Sequence, residues 1–312
     1  MSYYIDPIAM TAAQLLAGTS LPEDPTPAWV AGTYAVGYEC HVVATHRVYR
    51  RAVATASTVR PDLDPLGWKD MRPTNLWAPF DEYTDTPAQA ATNIVYVLAS
   101  RFVNAINLRG LVGSGVQVMV KDKPGGEVIW RYPEGGGFAQ LKRPARGYYD
   151  YAYGDRRSIN TLLLRDLPIR ANAEITITVA ASGTEPRALG MIVRGKFRSL
   201  HGVGGIGAIG GVEEGAQVTP KTYTEQEEQP DGRVRTVVRG SSKDLTFSVF
   251  MKRENADQAV QALEDLLSKP VAWFVSTKPG FAGLSAFGIA QRSPVRYRNR
   301  FATIEMNVKG YV

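Results

Sequence analysis

The chain has 312 residues, 44% of them hydrophobic and 21% charged. That is a globular composition, which excludes a disordered chain and is long enough for two or three domains. The net charge is +6 with both signs interspersed, without the concentrated basic stripe of a dedicated nucleic-acid binder.

Thirty Gly and nineteen Pro, about one residue in six, point to many turns and many short strands. The single cysteine, Cys40, excludes an intramolecular disulfide framework and a multi-cysteine metal site. No apolar run approaches the roughly 18 residues of a membrane span, so no membrane insertion is expected. The opening MSYYIDPIAM lacks a basic stretch followed by an apolar one, so no secretory signal is expected and folding in a reducing cytoplasm is.

Residues 1–27 read as an N-terminal arm or linker. TAAQLLAG has the marks of a short helix, with Thr11 as cap, Gln14 completing a capping box and Gly18 as stop. The proline-rich LPEDPTP that follows reads as extended chain. Residues 28–82 read as a small β module. Alternation in ECHVVATHRVYRR, broken near Thr45 and His46, predicts a hairpin. So short a module can bury only a small core, and Trp29, Tyr34, Tyr38, Tyr49, Trp68 and Trp77 are available to supply its apolar area.

Residues 88–200 contain six short β-rich runs separated mostly by Gly, Pro or Asp clusters. Strict alternation in EITITV fits a half-buried antiparallel strand, and the spacing argues for a β-sandwich or jelly roll with no helical interruption. Residues 201–232 read as a Gly-rich hinge and an acidic loop. Residues 233–312 read as strands around one helix over 256–268, whose apolar stripe is Ala256, Ala259, Val260, Leu263, Leu266 and Leu267. Asn255 is placed to cap it and Pro270 to end it. The expected fold is therefore mainly β and multi-domain. It comprises a small aromatic-rich β module, a β-sandwich or jelly roll, and a C-terminal β-sandwich with one packed α-helix.

Chemical motifs are sparse. GVGGIG at 202–207 matches a dinucleotide fingerprint, but no helix follows it, so it reads as a hinge. His41 and His46 lack a supporting carboxylate or thiolate cluster, and His201 stands alone. Asp62, Asp64, Asp81 and Glu82 sit in turn-like sequence, where acids usually serve as turn formers rather than as a glycosidase pair. No catalytic group, cofactor or metal site is expected.

Two features stand out. Trp29, Tyr34, Tyr49 and Trp68 could stack on sugar rings or could form the core of the small module. From Arg233 to Val312 there are thirteen Lys or Arg against six Asp or Glu, while Glu213–Asp231 holds six acids and one lysine. Glu225, Glu227 and Glu228 on the acidic loop could meet Arg296, Arg298 and Arg300 of a neighbouring subunit in a closed ring. The same basic residues could equally guard a strand edge.

The stretch PAWVAGTYAVGYECHVVATHRVYRRAV…PDLDPLGWKDMRPTNLWAPFD resembles a module common in tail proteins of long-tailed bacteriophages, itself similar to a type 3 chitin-binding module. TNLWAPFD resembles the T-N-R-W-A-M-F-D sequence that follows that module, with Leu76 in place of Arg and Pro79 in place of Met. His41 and Val42 stand where a D-R-V or D-x-V strand is common. Residues 88–200 are similar to a β-sandwich likened to carbohydrate-binding folds. NADQAVQALEDLL followed by KPVAWF resembles the distal tail and tail-tube families.

The resemblance implies a structural virion protein of the tail tip or baseplate, made in the host cytoplasm. It would form a homo-oligomeric ring, a hexamer first and a trimer second, between the tail tube protein and the baseplate hub and fibres. The other function it allows is a peripheral, carbohydrate-binding protein that recognises a host surface glycan.

Overall fold

The computed structural model describes residues 2–54, 56–154, 158–180, 186–200, 210–228, 233–237, 240–278, 280–291 and 293–311. It is mainly β. The chain forms two compact units assembled from separate stretches: a central unit of Met10–Val103 with Asn107–Ile192, and a terminal unit of Met1–Ala9, Asn104–Ile106 and Val193–Val312.

The main sheet of the central unit is antiparallel, in the order Val128–Tyr132, Gly115–Lys121, Ala173–Ala180, Ile94–Ser100, with Ala139–Gln140 added along Gly115–Lys121. Its register explains its stability. Val116, Val179 and Ile94 lie in one cross-strand row, Val118, Ile177 and Tyr96 in the next, and Val120, Ile175 and Leu98 in a third. All nine are buried, because a period of two sends alternate side chains to one face and the pairing aligns the three strands. Burying each large apolar side chain contributes about 1.5–3 kcal/mol.

The small module of the same unit is a three-stranded sheet of Glu39–Val42, Arg47–Arg51 and Trp68–Pro73. Its hairpin turns where the alternation breaks, with His46 at φ 54°. Its core is Cys40, Val42, Tyr49 and Trp68, with Trp29 and Tyr34 packed against them.

Two sequence expectations fail near the N-terminus. Residues 3–7 are not part of an arm: Tyr3–Pro7 is an inner strand of the terminal unit, pairing Gly195–Ser199 on one side and Val271–Phe274 on the other. TAAQLLAG makes only a single 3-10 turn, Ala12–Gln14. The Thr11 N–H does reach Gln14 Oε1 at 3.2 Å, but the following residues leave the helical path. The Leu16 and Ser20 N–H groups instead donate to Val97 and Val95 carbonyls. Hydrogen bonding along a strand edge outweighs a weak local propensity.

The sheet of the terminal unit continues from Val271–Phe274 through Ser285–Gln291, Phe301–Gly310 and Ser241–Lys252, with Gly210–Val212 and Gln217–Thr222 on the outer side of the last. Val295–Tyr297 also pairs with Phe301–Gly310. Leu245↔Val308, Phe247↔Met306, Val249↔Ile304 and Met251↔Ala302 form a buried ladder. The helix Ala256–Leu266 packs Ala256, Ala259, Leu263 and Leu266 into the same core. A second helix, Tyr148–Tyr153, interrupts the β-rich central region where none was expected. The Gly-rich hinge expected over GVGGIG, and His201 beside it, lie outside the described residues.

Candidate assembly surfaces

The four aromatic side chains considered for sugar stacking come together, but as a core. Trp68 is 2% and Tyr49 6% exposed, so neither presents a ring face to a ligand. Trp29 and Tyr34 are half-buried against them. Tyr34 stacks on Tyr38 at 4.7 Å and meets the edge of Trp68 at 5.3 Å. In a module this small the aromatic area is consumed by folding.

The TNLWAPFD motif acts as a joint inside the central unit. Thr74 donates to Glu23 Oε1 at 2.8 Å, and His46 Nδ1 shares that oxygen at 2.8 Å. The Asn75 side chain behaves like a strand residue: its amide donates to Gln89 O at 3.0 Å and its carbonyl accepts from Gln89 N–H at 2.9 Å. Trp77 stacks on His46 at 4.2 Å, and Phe80 meets Tyr96 edge-on at 5.7 Å. Tyr96 O–H donates to Leu76 O at 3.0 Å. His41 Nδ1 lies 2.7 Å from Thr26 O. Both histidines thus hold the proline-rich 23–26 stretch against the module.

The carboxylates are similarly occupied. Asp62 pairs with Arg60 at 2.6 Å, and Asp64 accepts from the Gly67 N–H at 2.9 Å and from Arg51 at 3.4 Å. Asp81 accepts from the Tyr83 N–H at 2.9 Å and from Thr86 Oγ1 at 2.5 Å. Burial pushes the Asp81 carboxyl up to about 6, against those two hydrogen bonds.

The acidic loop is a β ribbon. Gln217–Thr222 pairs with Ser241–Thr246 in the sheet, and the two strands run on into Glu225–Glu228 paired with Val234–Val237. Among the described residues this distal pair bonds to no other strand. All eight of its residues are exposed. Glu225, Glu227, Arg235 and Val237 share one face, with Arg235 opposite Glu227, and Gln226, Glu228, Val234 and Thr236 the other. Lys221 forms an ion pair with Asp244 near its base.

The basic residues proposed to face that loop lie at the strand Val295–Tyr297 and the turn after it. Arg296 pairs with Glu305 of its own chain at 2.9 Å, and the Tyr297 hydroxyl donates to Asp257 at 2.8 Å. Arg298 and Arg300 are exposed.

Sequence reasoning missed one surface. Leu141 is buried and donates to Ser114 O at 3.0 Å. An isolated bridge between Lys142 and Ser158 closes the excursion that begins there. At its tip, Tyr148–Tyr153 buries no residue. Tyr148, Tyr149, Tyr151 and Tyr153 are 83%, 76%, 67% and 77% exposed. Lys142, Arg143 and Arg146 beside them are exposed too. The signal was four tyrosines in six residues; Tyr149 and Tyr153, four apart, meet at 5.5 Å on one face, and the others lie to either side of them. No family model matches the chain, and no curated protein matches its sequence.

Proposed function

We propose that the chain is a structural subunit of the tail tip or baseplate of a long-tailed bacteriophage, forming a ring that links the tail tube to the hub and fibres. The observation that carries this reading is the ribbon Glu225–Glu228/Val234–Val237, exposed throughout and unpaired with any other described strand. A lone two-stranded hairpin is marginal in water, and exposed strand edges and valines are costly to leave uncovered. An arm of this kind gains its stability from a neighbour, which is what a ring subunit requires. The resemblance of residues 27–81 to tail-protein modules adds the context, with a hexamer as first choice and a trimer second.

The test is negative-stain electron microscopy, classified for rotational symmetry, on the intact chain and on a variant in which residues 224–239 are replaced by a two-residue turn. Six-fold or three-fold rings lost in the variant support the reading; rings that persist remove the ribbon from assembly.

A second reading, a glycan-recognising protein on the virion surface, is favoured by the Tyr34–Tyr38 stack, since Tyr38 is 37% exposed. Glycan-array binding abolished by Tyr38→Ala would support it.

A further inference from the structure

Charge in the ribbon Glu225–Glu228/Val234–Val237 is divided by strand, not by face. One strand carries three carboxylates and no cation, and the other carries Arg235 as its only charge. Both signs meet on the same face, with Arg235 opposite Glu227, so neither face is an acidic or a basic surface. The edges are what differ: one is the outer side of an anionic strand, the other the outer side of a cationic one.

Both edges are open to pairing. Among the described residues each strand bonds only to the other, so alternate residues turn their N–H and C=O groups away from the ribbon. Neither a proline nor a bulge blunts these edges. Charge is the guard left on them, and it guards selectively.

Glu225 and Arg233 already hold interactions within the chain, so the selection falls to Glu227, Glu228 and Arg235. All three are exposed, and none forms an ion pair with a described residue. A symmetric contact, edge to like edge, would set carboxylates beside carboxylates or Arg235 beside another Arg235, which is destabilising. Edge to unlike edge sets the carboxylates of one copy beside the guanidinium of the next. Copies related by rotation about an axis along the ribbon hold their ribbons in one direction. That lays Glu225–Glu228 of one copy antiparallel to Val234–Val237 of the next, the sense already used inside the ribbon.

We propose that the ribbons of successive copies pair edge to edge, Glu225–Glu228 of one with Val234–Val237 of the next, in one antiparallel sheet that crosses the subunits. Repeating the ribbon's own register sets each Glu227 between two arginines, the Arg235 of its own chain and that of its neighbour. Each Arg235 lies likewise between two glutamates. The contact is head-to-tail, so it closes into a ring or runs on as a filament. This rests on the assembly reading above and names which sides of the ribbon meet.

The experiment is disulfide trapping between differently tagged copies. A chain carrying Glu227→Cys is mixed with one carrying Arg235→Cys, and Glu228→Cys with Val234→Cys; the native Cys40 is buried. Neighbouring rows of an antiparallel pair alternate between close and wide spacing, so the two mixtures sample both. The expected result is a linked heterodimer in at least one mixture and no linked homodimer from any variant alone. In parallel, Glu227→Arg should weaken self-association about fivefold or more. Adding Arg235→Glu to the same chain should restore it to within about twofold.

Linked homodimers from a single variant would mean that like edges meet, which overturns the inference and leaves assembly standing. Linkage of Glu227→Cys to Arg298→Cys, rings without linkage in either mixture, or a double variant that associates no better than Glu227→Arg does the same. An intact protein that stays monomeric at about 0.1 mM, where a 10 µM contact would be mostly formed, overturns both readings.

Discussion

The carboxylate of Asp24 accepts two hydrogen bonds from the guanidinium of Arg72, at 2.7 and 3.2 Å, across 48 residues of sequence. It also accepts from the Thr26 N–H and hydroxyl and from the Asn75 N–H. The side chain of Asp24 is 0% exposed. This pair, with Glu23 bonded to His46 and Thr74, fixes a proline-rich stretch that would otherwise be a linker. Asp24→Ala should cost about 3 kcal/mol, because it leaves Arg72 and two backbone-linked donors without their acceptor. Urea denaturation of the variant beside the intact chain measures it.

The same site predicts an acid response. Burial works to raise the Asp24 carboxyl, but the Arg72 and Thr26 hydrogen bonds outweigh it and hold the group below its ordinary 3.8. A carboxyl lowered in the folded state stabilises at pH above that ordinary value, and the contribution disappears as pH falls through the lower folded one. Stability should therefore drop below about pH 4, and Asp24→Asn should flatten that part of the profile.

Asp81 gives the opposite sign. Its carboxyl is pushed up to about 6 from 3.8, first by burial. A raised folded value means ionisation is harder in the folded chain, so stability is greatest below 3.8 and declines as pH rises towards 6. Asparagine can still accept from Tyr83 N–H and bond to Thr86. Asp81→Asn should thus gain stability relative to the intact chain at pH about 7.5 and lose that advantage at pH about 4, as read by chemical denaturation at both.

Ile177 lies between Val118 and Tyr96 in the middle row of the central sheet and is 0% exposed. Ile177→Ala should cost about 3 kcal/mol, the transfer term plus the cavity left among packed neighbours. An unchanged denaturation midpoint would mean that the three rows repack around the gap.

Gly288 and Gly310 face each other across the strands Ser285–Gln291 and Phe301–Gly310. A Cβ on Gly288 would clash with the Lys309 carbonyl oxygen, a contact with backbone that no rotamer relieves. Glycine in a strand interior marks such close approach. Gly288→Ala should lower the melting temperature of the terminal unit by several degrees, whereas Gly283→Ala, with open space around it, should not.

What the sequence disclosed was local. The helix Ala256–Leu266 was visible because its stripe needs only a short window, and the Val42–Arg47 hairpin because alternation breaks within one segment. Tyr3–Pro7 was not visible as an inner strand: its partners Gly195–Ser199 and Val271–Phe274 are nearly the whole chain away, and five residues carry no reliable period. The aromatic set of residues 29–68 was legible as a cluster, but sequence could not say whether rings faced a ligand or one another. Burial of Trp68 and Tyr49 answers that. The tyrosine loop escaped notice because a segment that buries no residue obeys neither the helical nor the strand pattern.

Glu225, Glu227 and Glu228 make the assembly reading sensitive to salt. All three are exposed, so any pairing they make across copies is screened within a Debye length of about 10 Å at 0.1 M salt. Association of the intact chain, followed by sedimentation, should weaken steadily as salt is raised from about 0.05 to 0.5 M. A variant carrying Glu225→Gln, Glu227→Gln and Glu228→Gln should associate more weakly at low salt and respond little to added salt. Val234 and Val237 would remain to supply the apolar part of the contact, so the two variables separate. Salt dependence that survives the triple substitution would assign the electrostatics of assembly to other residues, with Arg298 and Arg300 the next to exchange.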